Sequence, residues 1–210
     1  HEIIHKTTWQ QPVGFIAPGW SSSGQVYKVL IQHGYKYDTS HFPSLLFYAI
    51  FLKSMLNNRN DISTVKTIAN RKDWLWPMTK PIDPFFINAK GEVVSKDHES
   101  IMVLPVPAFN RFSLSFWHTL GFIIGWDRTH KFLKRLVDRK RAFYYLCHPL
   151  DLAEQEDLSG LQLSFFMERM AVELPEKLSA FNSSMDLLQA SGRKIGTMSA
   201  LADAILKSET

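Results

Sequence analysis

The chain has 210 residues, of which 45% are hydrophobic and 21% are charged, and it contains no internal repeat or low-complexity segment. This composition is typical of one globular domain with a sizeable core, and it excludes repeat and low-complexity architectures. Much of the net charge of +4 comes from residues 131–141, where basic and aromatic residues do not interleave as on nucleic-acid-binding sheets. We therefore expect no nucleic-acid partner.

The first part of the chain predicts two strands separated by a helix. Residues 2–8 predict the end of a helix that Gln11-Pro12 stops. The apolar run VGFIA at residues 13–17 follows and is typical of a buried strand in a parallel sheet. The serines at 21–23 offer N-caps for a helix that ends at Gly34. Residues 35–37 predict the second strand.

The middle of the chain predicts an irregular insertion over residues 57–141. Within it, a hairpin is predicted around Gly91, with FFIN before the turn and EVV after it. Two apolar stretches, residues 44–56 and 112–126, are too short to span a bilayer, which needs about 20 apolar residues. Residues 131–141 (KFLKRLVDRKR) have apolar residues at helical spacing and predict an amphipathic helix with a solvated basic face.

The last third of the chain predicts a return to regular structure. The run AFYYLC at residues 142–147 is typical of a strand. A helix over residues 181–190 and a short strand over residues 194–196 follow. Thr197 then caps the last helix of the chain.

The alternation of helices and strands indicates an α/β fold, either a barrel or a doubly wound sheet. In both architectures, functional residues collect at the carboxyl ends of parallel strands. Three segments follow predicted strands in this way, and they begin at Pro18, Asp38 and His148. We therefore expect the three strands to be parallel members of one sheet, with these residues at the same edge.

Four segments occur in an order that carries a family resemblance. PVGFIAPGW at residues 12–20 is followed, after a helix, by GYKYDTSHFP at residues 34–43. FYYLCHPLDL at residues 143–152 and SGRKIGTMSALADAI at residues 191–205 come near the end. Together they resemble the middle and late motifs of the polysaccharide deacetylase family, which has the NodB homology domain.

The resemblance implies a partial deacetylase-type (β/α) barrel over residues 1–210 that lacks its N-terminal strands. It implies a hydrolase that removes an N-acyl (acetyl) group from a sugar of a polysaccharide or lipid-linked glycan, breaking an amide C–N bond that is not a peptide bond. His148 matches the late motif and is the implied catalytic acid, which protonates the departing amine. The implied substrate-binding residues are Pro18, Gly19, Trp20, Asp38 and Leu146.

The resemblance also implies a divalent metal, usually zinc, held by an aspartate of a T-F-D-D motif and two histidines of an H-x-x-x-H motif. No T-F-D-D occurs in the chain. His1 and His5 have the H-x-x-x-H spacing and would share a helix face, but they lie only a few residues before the first strand, where the family has the tail of a helix. We therefore expect no metal ligands in this chain and place the early motifs before His1.

Ile16 stands where the family has an arginine that orients the catalytic aspartate. Isoleucine cannot form that ion pair, so either another cation such as Arg111 replaces it or the activity is altered or lost. One alternative is therefore a catalytically inactive carbohydrate-binding protein of the same fold. A second alternative is a membrane-surface module in which residues 112–126, beside the basic helix, contact the membrane. The same juxtaposition suits an enzyme whose glycan substrate is lipid-linked.

Several candidate residues also have structural interpretations. His148 can be a hydrogen-bonded strand end, Asp38 can form an Asx-turn, and Asp151 can cap a helix rather than orient His148. Trp20 fits either a core position or stacking on a sugar ring. The single cysteine, Cys147, excludes an internal disulfide and favours a reducing compartment such as the cytoplasm. The oligomeric state stays open.

Overall fold

A computed structural model describes residues 1–45, 48–49, 52, 55–56, 66, 70–71, 73, 75–139, 142–158 and 167–208. Parts of the predicted apolar stretch 44–56 and the last two residues of the predicted basic helix lie outside the described residues. The chain forms two compact units, which are described separately below. The first is His1–Ser115 with Thr197–Thr210, and the second is Phe116–Gly196.

The helices and strands of the described residues have the following bounds. The helices are α1 (Glu2–Thr8), α2 (Gly24–Gln32), α3 (Trp76–Thr79), α4 (Leu120–Ile124), α5 (Trp126–Asp138), α6 (Met167–Met170), α7 (Leu174–Ala190) and α8 (Met198–Ser208). The strands are β1 (Gly14–Phe15), β2 (Tyr37–Asp38), β3 (Phe85–Asn88), β4 (Val93–Val94) and β5 (Ser100–Val103). Short 3-10 turns occur at Pro18–Trp20, Pro149–Asp151 and Glu156–Leu158.

The first unit contains a five-stranded mixed sheet in the order β1-β2-β5-β3-β4. β1, β2 and β5 are parallel, with Phe15 opposite Asp38 and Asp38 opposite Val103. β3 pairs antiparallel with both β5 and β4. The carboxyl ends of the parallel strands meet at one edge, where ligands bind in open α/β sheets. A mixed α/β fold is confirmed, whereas closure into a deacetylase-type barrel stays a prediction.

The core of the first unit lies between α2 and the sheet. The Oγ of Ser23 accepts a hydrogen bond from the first turn of α2 at 3.4 Å, and Gly34 takes a positive φ of 70° just after the helix. Tyr27 and Leu30 on α2 pack against apolar residues of β3 and β5, namely Phe85, Ile87, Ile101 and Val103. The helical period of α2 and the strand pairing thus bury one continuous apolar layer.

The sequence predicts most of the first unit correctly. α1, α2 and the hairpin at Gly91 are confirmed, although β1 is shorter than residues 13–17 and β2 begins later than predicted. The prediction that the rest of the insertion is irregular is wrong at β5, which pairs with both β2 and β3. The run SIMV at residues 100–103 is short, does not alternate polar and apolar residues, and is followed by prolines. Its strand conformation therefore depends on the neighbouring strands, which the local sequence does not reveal.

The second unit is built on helices. The amphipathic helix is confirmed as α5, but it begins at Trp126, before the predicted start at residue 131, and buries Leu133, Leu136 and Val137 on one face. α4 approaches α5 closely at Gly121, where an added Cβ would lie 1.9 Å from the Trp126 ring. Only glycine permits this close contact between α4 and the Trp126 ring at the start of α5.

The predicted strand over residues 142–147 does not form, and no described strand comes from the second unit. The carbonyl of Leu146 accepts one hydrogen bond from the backbone N–H of His118 at 2.8 Å, instead of joining a ladder. Aromatic residues are enriched in strands, but they are also found in buried segments that form no strand. Residues 142–147 are such a segment, because they are half-buried and no described strand pairs with them. His148 therefore does not end a strand of the sheet, and the predicted strand at residues 194–196 is also absent.

No helix in the described part of the chain has the length and apolar character that crossing a membrane requires. Residues 112–126 form turns and α4 instead of one apolar helix. Phe112 and Ile123 are 84% and 58% exposed, whereas Phe116 and Leu120 are buried. The apolar stretch thus contributes mainly to packing, with single exposed side chains.

Candidate functional site

The chain turns sharply directly after β1, at Pro18–Trp20. Gly19 has a φ of 61°, which costs a glycine nothing, but Trp20 has a φ of 53°, a left-handed conformation that costs an ordinary residue about 1–2 kcal/mol. The backbone N–H of Trp20 donates to the carbonyl of Ala17 at 3.0 Å. A tryptophan persists in this conformation only where its surroundings fix the turn.

Arg71 fixes this turn. Its Nη1 donates to the carbonyl of Gly19 and its Nη2 to the carbonyl of Trp20, both at 2.8 Å. The same guanidinium binds Asp73 through Nε at 2.9 Å and Nη2 at 2.7 Å. Asp73 also accepts a hydrogen bond from the backbone N–H of Ser22 at 3.1 Å. The side chains of Arg71 and Asp73 are only 6% and 4% exposed, so the ion pair is buried with the backbone that it holds.

Asp38 ends β2 at the same edge of the sheet and is fully buried. Its carboxylate accepts hydrogen bonds from the Ser40 backbone N–H at 3.1 Å, the Ser40 hydroxyl at 2.5 Å and the Tyr27 hydroxyl at 3.1 Å. Burial raises the pKa of Asp38 to about 6, and the hydrogen bonds from Ser40 and Tyr27 oppose this rise. The Oγ of Ser40 accepts a hydrogen bond from Ala17 N–H at 2.8 Å, which ties the ends of β1 and β2 together.

A shallow pocket lies at this edge, with room inside for about one water molecule. It is lined by Trp20, Ser40, His41, Phe42, Asp73, Trp76 and Pro77. The Trp20 ring lies 5.0 Å from the Phe42 ring, and the Trp76 ring stacks on Tyr27 at 5.7 Å. The turn after β1, the segment after β2 and the Asp73 region thus surround one small concave surface with aromatic walls.

The second unit holds a polar cluster around the buried carboxylate of Asp151. This carboxylate accepts hydrogen bonds from the Thr119 hydroxyl at 2.9 and 3.0 Å, from Arg169 Nη1 at 3.0 Å and from the backbone N–H of His148 at 2.9 Å. The Nδ1 of His148 lies 3.7 Å from Oδ2 of Asp151 and 3.3 Å from Oγ1 of Thr119. The His148 side chain is 37% exposed, so a solvent-accessible imidazole lies beside a fully buried anion.

The charges of this cluster are set by its contacts. Burial alone would raise the pKa of Asp151, but hydrogen bonds from His148 and the charge of Arg169 outweigh burial and lower this pKa below its ordinary value. Burial raises the pKa of the neighbouring Cys147 to about 12. At neutral pH, Asp151 is therefore an anion that can orient an imidazole, and Cys147 is a thiol that offers no thiolate nucleophile.

The structure brings together the predicted substrate-binding residues of the first unit, Pro18, Gly19, Trp20 and Asp38. Trp20 lines the pocket, whereas Asp38 does not line it and its carboxylate is hydrogen-bonded to Ser40 and Tyr27. Leu146 and His148 belong to the second unit. Asp151 combines both interpretations of its role, because it bonds the His148 backbone as a cap and also contacts the imidazole.

Sequence reasoning missed Arg71, Asp73 and His41. Arg71 and Asp73 lie in a segment that was predicted to be irregular, and a pair spaced by two residues carries no motif. Arg111, the candidate replacement for the arginine absent at Ile16, instead donates to the carbonyl of Pro77 at 2.8 Å. Only the fold reveals that a different arginine, Arg71, binds the turn.

No group of three or more His, Cys, Asp or Glu side chains in the described ranges is arranged to hold a metal ion. The ring of His1, which shares the H-x-x-x-H spacing with His5 but was not expected to bind metal, stacks on His33 at 5.1 Å. The described residues therefore do not fit the zinc site that the resemblance implies, since such a site needs three protein ligands.

Comparison with known proteins gives one informative match. The chain is similar to a protein of Helicobacter pylori (strain ATCC 700392 / 26695) named peptidoglycan deacetylase, with 28% identity over 82 residues. The match covers 39% of this chain and 26% of that protein, so it spans about a quarter of the relative's length. No family model matches the chain, and no solved structure does so either. The partial similarity supports a relationship to deacetylases.

Proposed function

We propose that this chain is part of a hydrolase that removes an N-acetyl group from a sugar of a polysaccharide or lipid-linked glycan. The observation that carries this proposal is the position of His148 beside the buried, anionic Asp151. A solvent-accessible imidazole oriented by a buried carboxylate is suited to acid–base catalysis. The similarity to a protein named peptidoglycan deacetylase supports the same chemistry.

In the proposed reaction, a water molecule gives a proton to a carboxylate base outside the described residues, its oxygen adds to the acyl carbon, and the C–N bond breaks. The acyl group leaves as acetate, and the sugar nitrogen leaves as an amine after it takes a proton. His148 donates that proton to the nitrogen. Asp151 acts as a positioning residue, because its contact with Nδ1 orients the ring, and Thr119 and Arg169 hold the carboxylate in place.

The proposed sugar-binding surface is the carboxyl edge of the sheet in the first unit. The turn at Pro18–Trp20 presents the ring of Trp20 to the pocket. We propose that this ring stacks on a sugar of the glycan. The described residues do not fit a metal, so the divalent metal that the resemblance implies would be held by residues outside the described ranges.

A second candidate function is sugar binding without catalysis. It is favoured by Ile16, which stands in place of the family's arginine and, being apolar, can form no ion pair with a carboxylate. In that case the pocket beside Trp20 retains its role, while the His148 cluster is structural.

Acetate release from N-acetylglucosamine oligomers and from peptidoglycan tests the proposal. The assay uses the longest form of the protein that its gene encodes, with added Zn²⁺. Replacement His148→Ala should lower kcat about 10²–10⁴-fold with an unchanged melting temperature, because a general acid contributes that much to rate. His98→Ala, at an exposed position, is the matched control and should retain full activity. Unchanged turnover by folded His148→Ala contradicts the catalytic role, and no acetate release by the wild type favours the binding function.

A further inference from the structure

The hydroxyl of Thr119 lies between the carboxylate of Asp151 and the ring of His148. Its Oγ1 donates to the two carboxylate oxygens at 2.9 and 3.0 Å and lies 3.3 Å from Nδ1 of His148. The distance from Nδ1 to Oδ2 of Asp151 is 3.7 Å, which is too long for a hydrogen bond. Of these two residues, Thr119 is therefore the one that binds Nδ1, and Asp151 acts on the ring by its charge and through the Thr119 hydroxyl.

Thr119 occupies the N-cap position of α4, but its side chain does not cap the helix. A threonine at this position ordinarily accepts a hydrogen bond from a backbone N–H of the first helical turn. Within the described residues, Oγ1 makes no such bond to α4, although the residue is only 3% exposed. The hydroxyl is thus directed to Asp151 and His148 instead of to its own helix, which a purely local role does not explain.

The ionisation of Asp151 sets the direction of both hydrogen bonds of the Thr119 hydroxyl. Nη1 of Arg169 binds Oδ1 at 3.0 Å, and the carboxylate is an anion at neutral pH. A carboxylate only accepts hydrogen bonds, so the single proton of the hydroxyl points to Asp151. The oxygen then has only lone pairs to offer His148. Nδ1 must therefore carry a proton, and in the neutral ring the lone pair is on Nε2.

We propose that Thr119 is a positioning residue that holds His148 as the Nδ1–H tautomer, so that Nε2 is the atom that donates the proton to the sugar nitrogen. The inference rests on the proposed function, because the glycan supplies the nitrogen that takes the proton. The charged ring carries a proton on each nitrogen. As the C–N bond breaks, the Nε2–H bond also breaks, an N–H bond forms on the sugar nitrogen, and the electron pair stays on Nε2.

The neutral ring that remains keeps its Nδ1–H bond to Thr119 and therefore its orientation. It regains a proton at Nε2 from solvent, which reaches the ring because the His148 side chain is 37% exposed. The Thr119 hydroxyl keeps its own proton on Asp151 throughout, so neither residue gains or loses a proton in the cycle.

The tautomer of His148 can be measured directly in the wild-type protein. Nitrogen-15 NMR distinguishes a protonated from an unprotonated ring nitrogen in a neutral imidazole, and the His148 signals are identified by their loss in His148→Ala. Nδ1 should carry the proton and Nε2 should not. Thr119→Val removes the hydroxyl with little change of shape and should move the proton towards Nε2, whereas Thr119→Ser keeps the hydroxyl and should leave it on Nδ1.

Turnover gives a second measurement, made as acetate release by the longest form of the protein that its gene encodes, with added Zn²⁺. Thr119→Val should lower kcat about 10- to 150-fold with little change in KM, the effect of losing one hydrogen bond to a charged group. Thr119→Ser should restore most of kcat. Thr129→Val is the matched control, because Thr129 is a buried threonine of the same unit whose hydroxyl donates to the Gly125 carbonyl at 2.9 Å, and it should turn over as the wild type does.

A wild-type His148 ring with its proton on Nε2 would overturn the inference. A folded Thr119→Val protein that keeps both the Nδ1–H tautomer and the wild-type kcat would also overturn it. In both cases, acetate release by the wild type leaves the deacetylase proposal intact. An Nδ1–H tautomer that depends on Thr119, in a protein that releases no acetate, would refute the deacetylase proposal and leave the role of Thr119 in orienting the ring standing.

Discussion

The guanidinium of Arg71 and the carboxylate of Asp73 meet through two hydrogen bonds, Nε to Oδ1 at 2.9 Å and Nη2 to Oδ2 at 2.7 Å. The two residues are separated by one position in sequence, yet their contacts reach the carbonyls of Gly19 and Trp20, about fifty residues earlier. This ion pair therefore offsets the cost of the left-handed Trp20 and keeps its ring at the wall of the pocket.

Removal of one member of this pair should destabilise the protein strongly. Arg71→Ala leaves Asp73 as an unpaired buried carboxylate, and loss of one partner of a buried pair costs about 3–5 kcal/mol in free energy of unfolding. Urea denaturation measures this loss. The exposed pair Lys36–Asp203, at 3.1 Å with side chains 44% and 45% exposed, is the control, and Lys36→Ala should cost less than about 1 kcal/mol. Equal losses for the two variants would contradict the structural role of Arg71.

The raised pKa of Asp38 predicts a pH dependence of stability. The pKa is 3.8 ordinarily and about 6 in the folded chain. Between these values the folded state keeps a proton that the unfolded state has released, so this residue's contribution to stability is full below pH 4 and is lost as pH rises through 6. The free energy of unfolding of the wild type, relative to Asp38→Asn, should fall by up to about 3 kcal/mol over this interval. If the free energies of unfolding of the two proteins, measured with urea at pH 4 to 7, change with pH in parallel, the pKa of Asp38 is not raised.

Cys147 should react slowly with thiol reagents in the folded protein. Its pKa is raised from 9.0 to about 12 by burial, and the thiolate is the reactive species. The thiolate population near pH 8 should thus be up to about 10³-fold lower than in the unfolded chain. Because Cys147 is the single cysteine, the absorbance change with an aromatic disulfide reagent reports this site alone. Labelling at the same rate with and without denaturant would refute the prediction.

The central position of β5 predicts that its apolar residues carry much of the stability of the first unit. Ile101 is 1% exposed and packs in the core between α2 and the sheet. Ile101→Ala should lower the free energy of unfolding by about 2–5 kcal/mol, because it removes buried methyl groups and leaves a cavity. Val93→Ala on β4, where the side chain is 45% exposed, is the control and should cost under about 1 kcal/mol. A small effect at Ile101 would place β5 outside the core.

Local sequence signals predict the structural features that depend on residues close together in sequence, namely helix ends, a hairpin and the buried face of a helix. The serine cap and Gly34 predict the ends of α2, the Lys90–Gly91 turn predicts the β3–β4 hairpin, and the spacing of Leu133, Leu136 and Val137 predicts the buried face of α5. Each signal acts within about one helical turn or one hairpin, where the chain itself fixes the geometry. The order of motifs also favoured a deacetylase, and the partial match to a protein with that name supports the relationship.

The tertiary structure alone decided which segments pair and which polar groups meet. Residues 142–147 and β5 have similar apolar composition, but only β5 has strands on both sides, and strand formation requires hydrogen-bond partners outside the segment. Likewise, Arg71 reaches the backbone of Trp20 because distant segments converge at the carboxyl edge of the sheet. Such contacts depend on the path of the whole chain, since no local spacing encodes a distance between residues fifty positions apart.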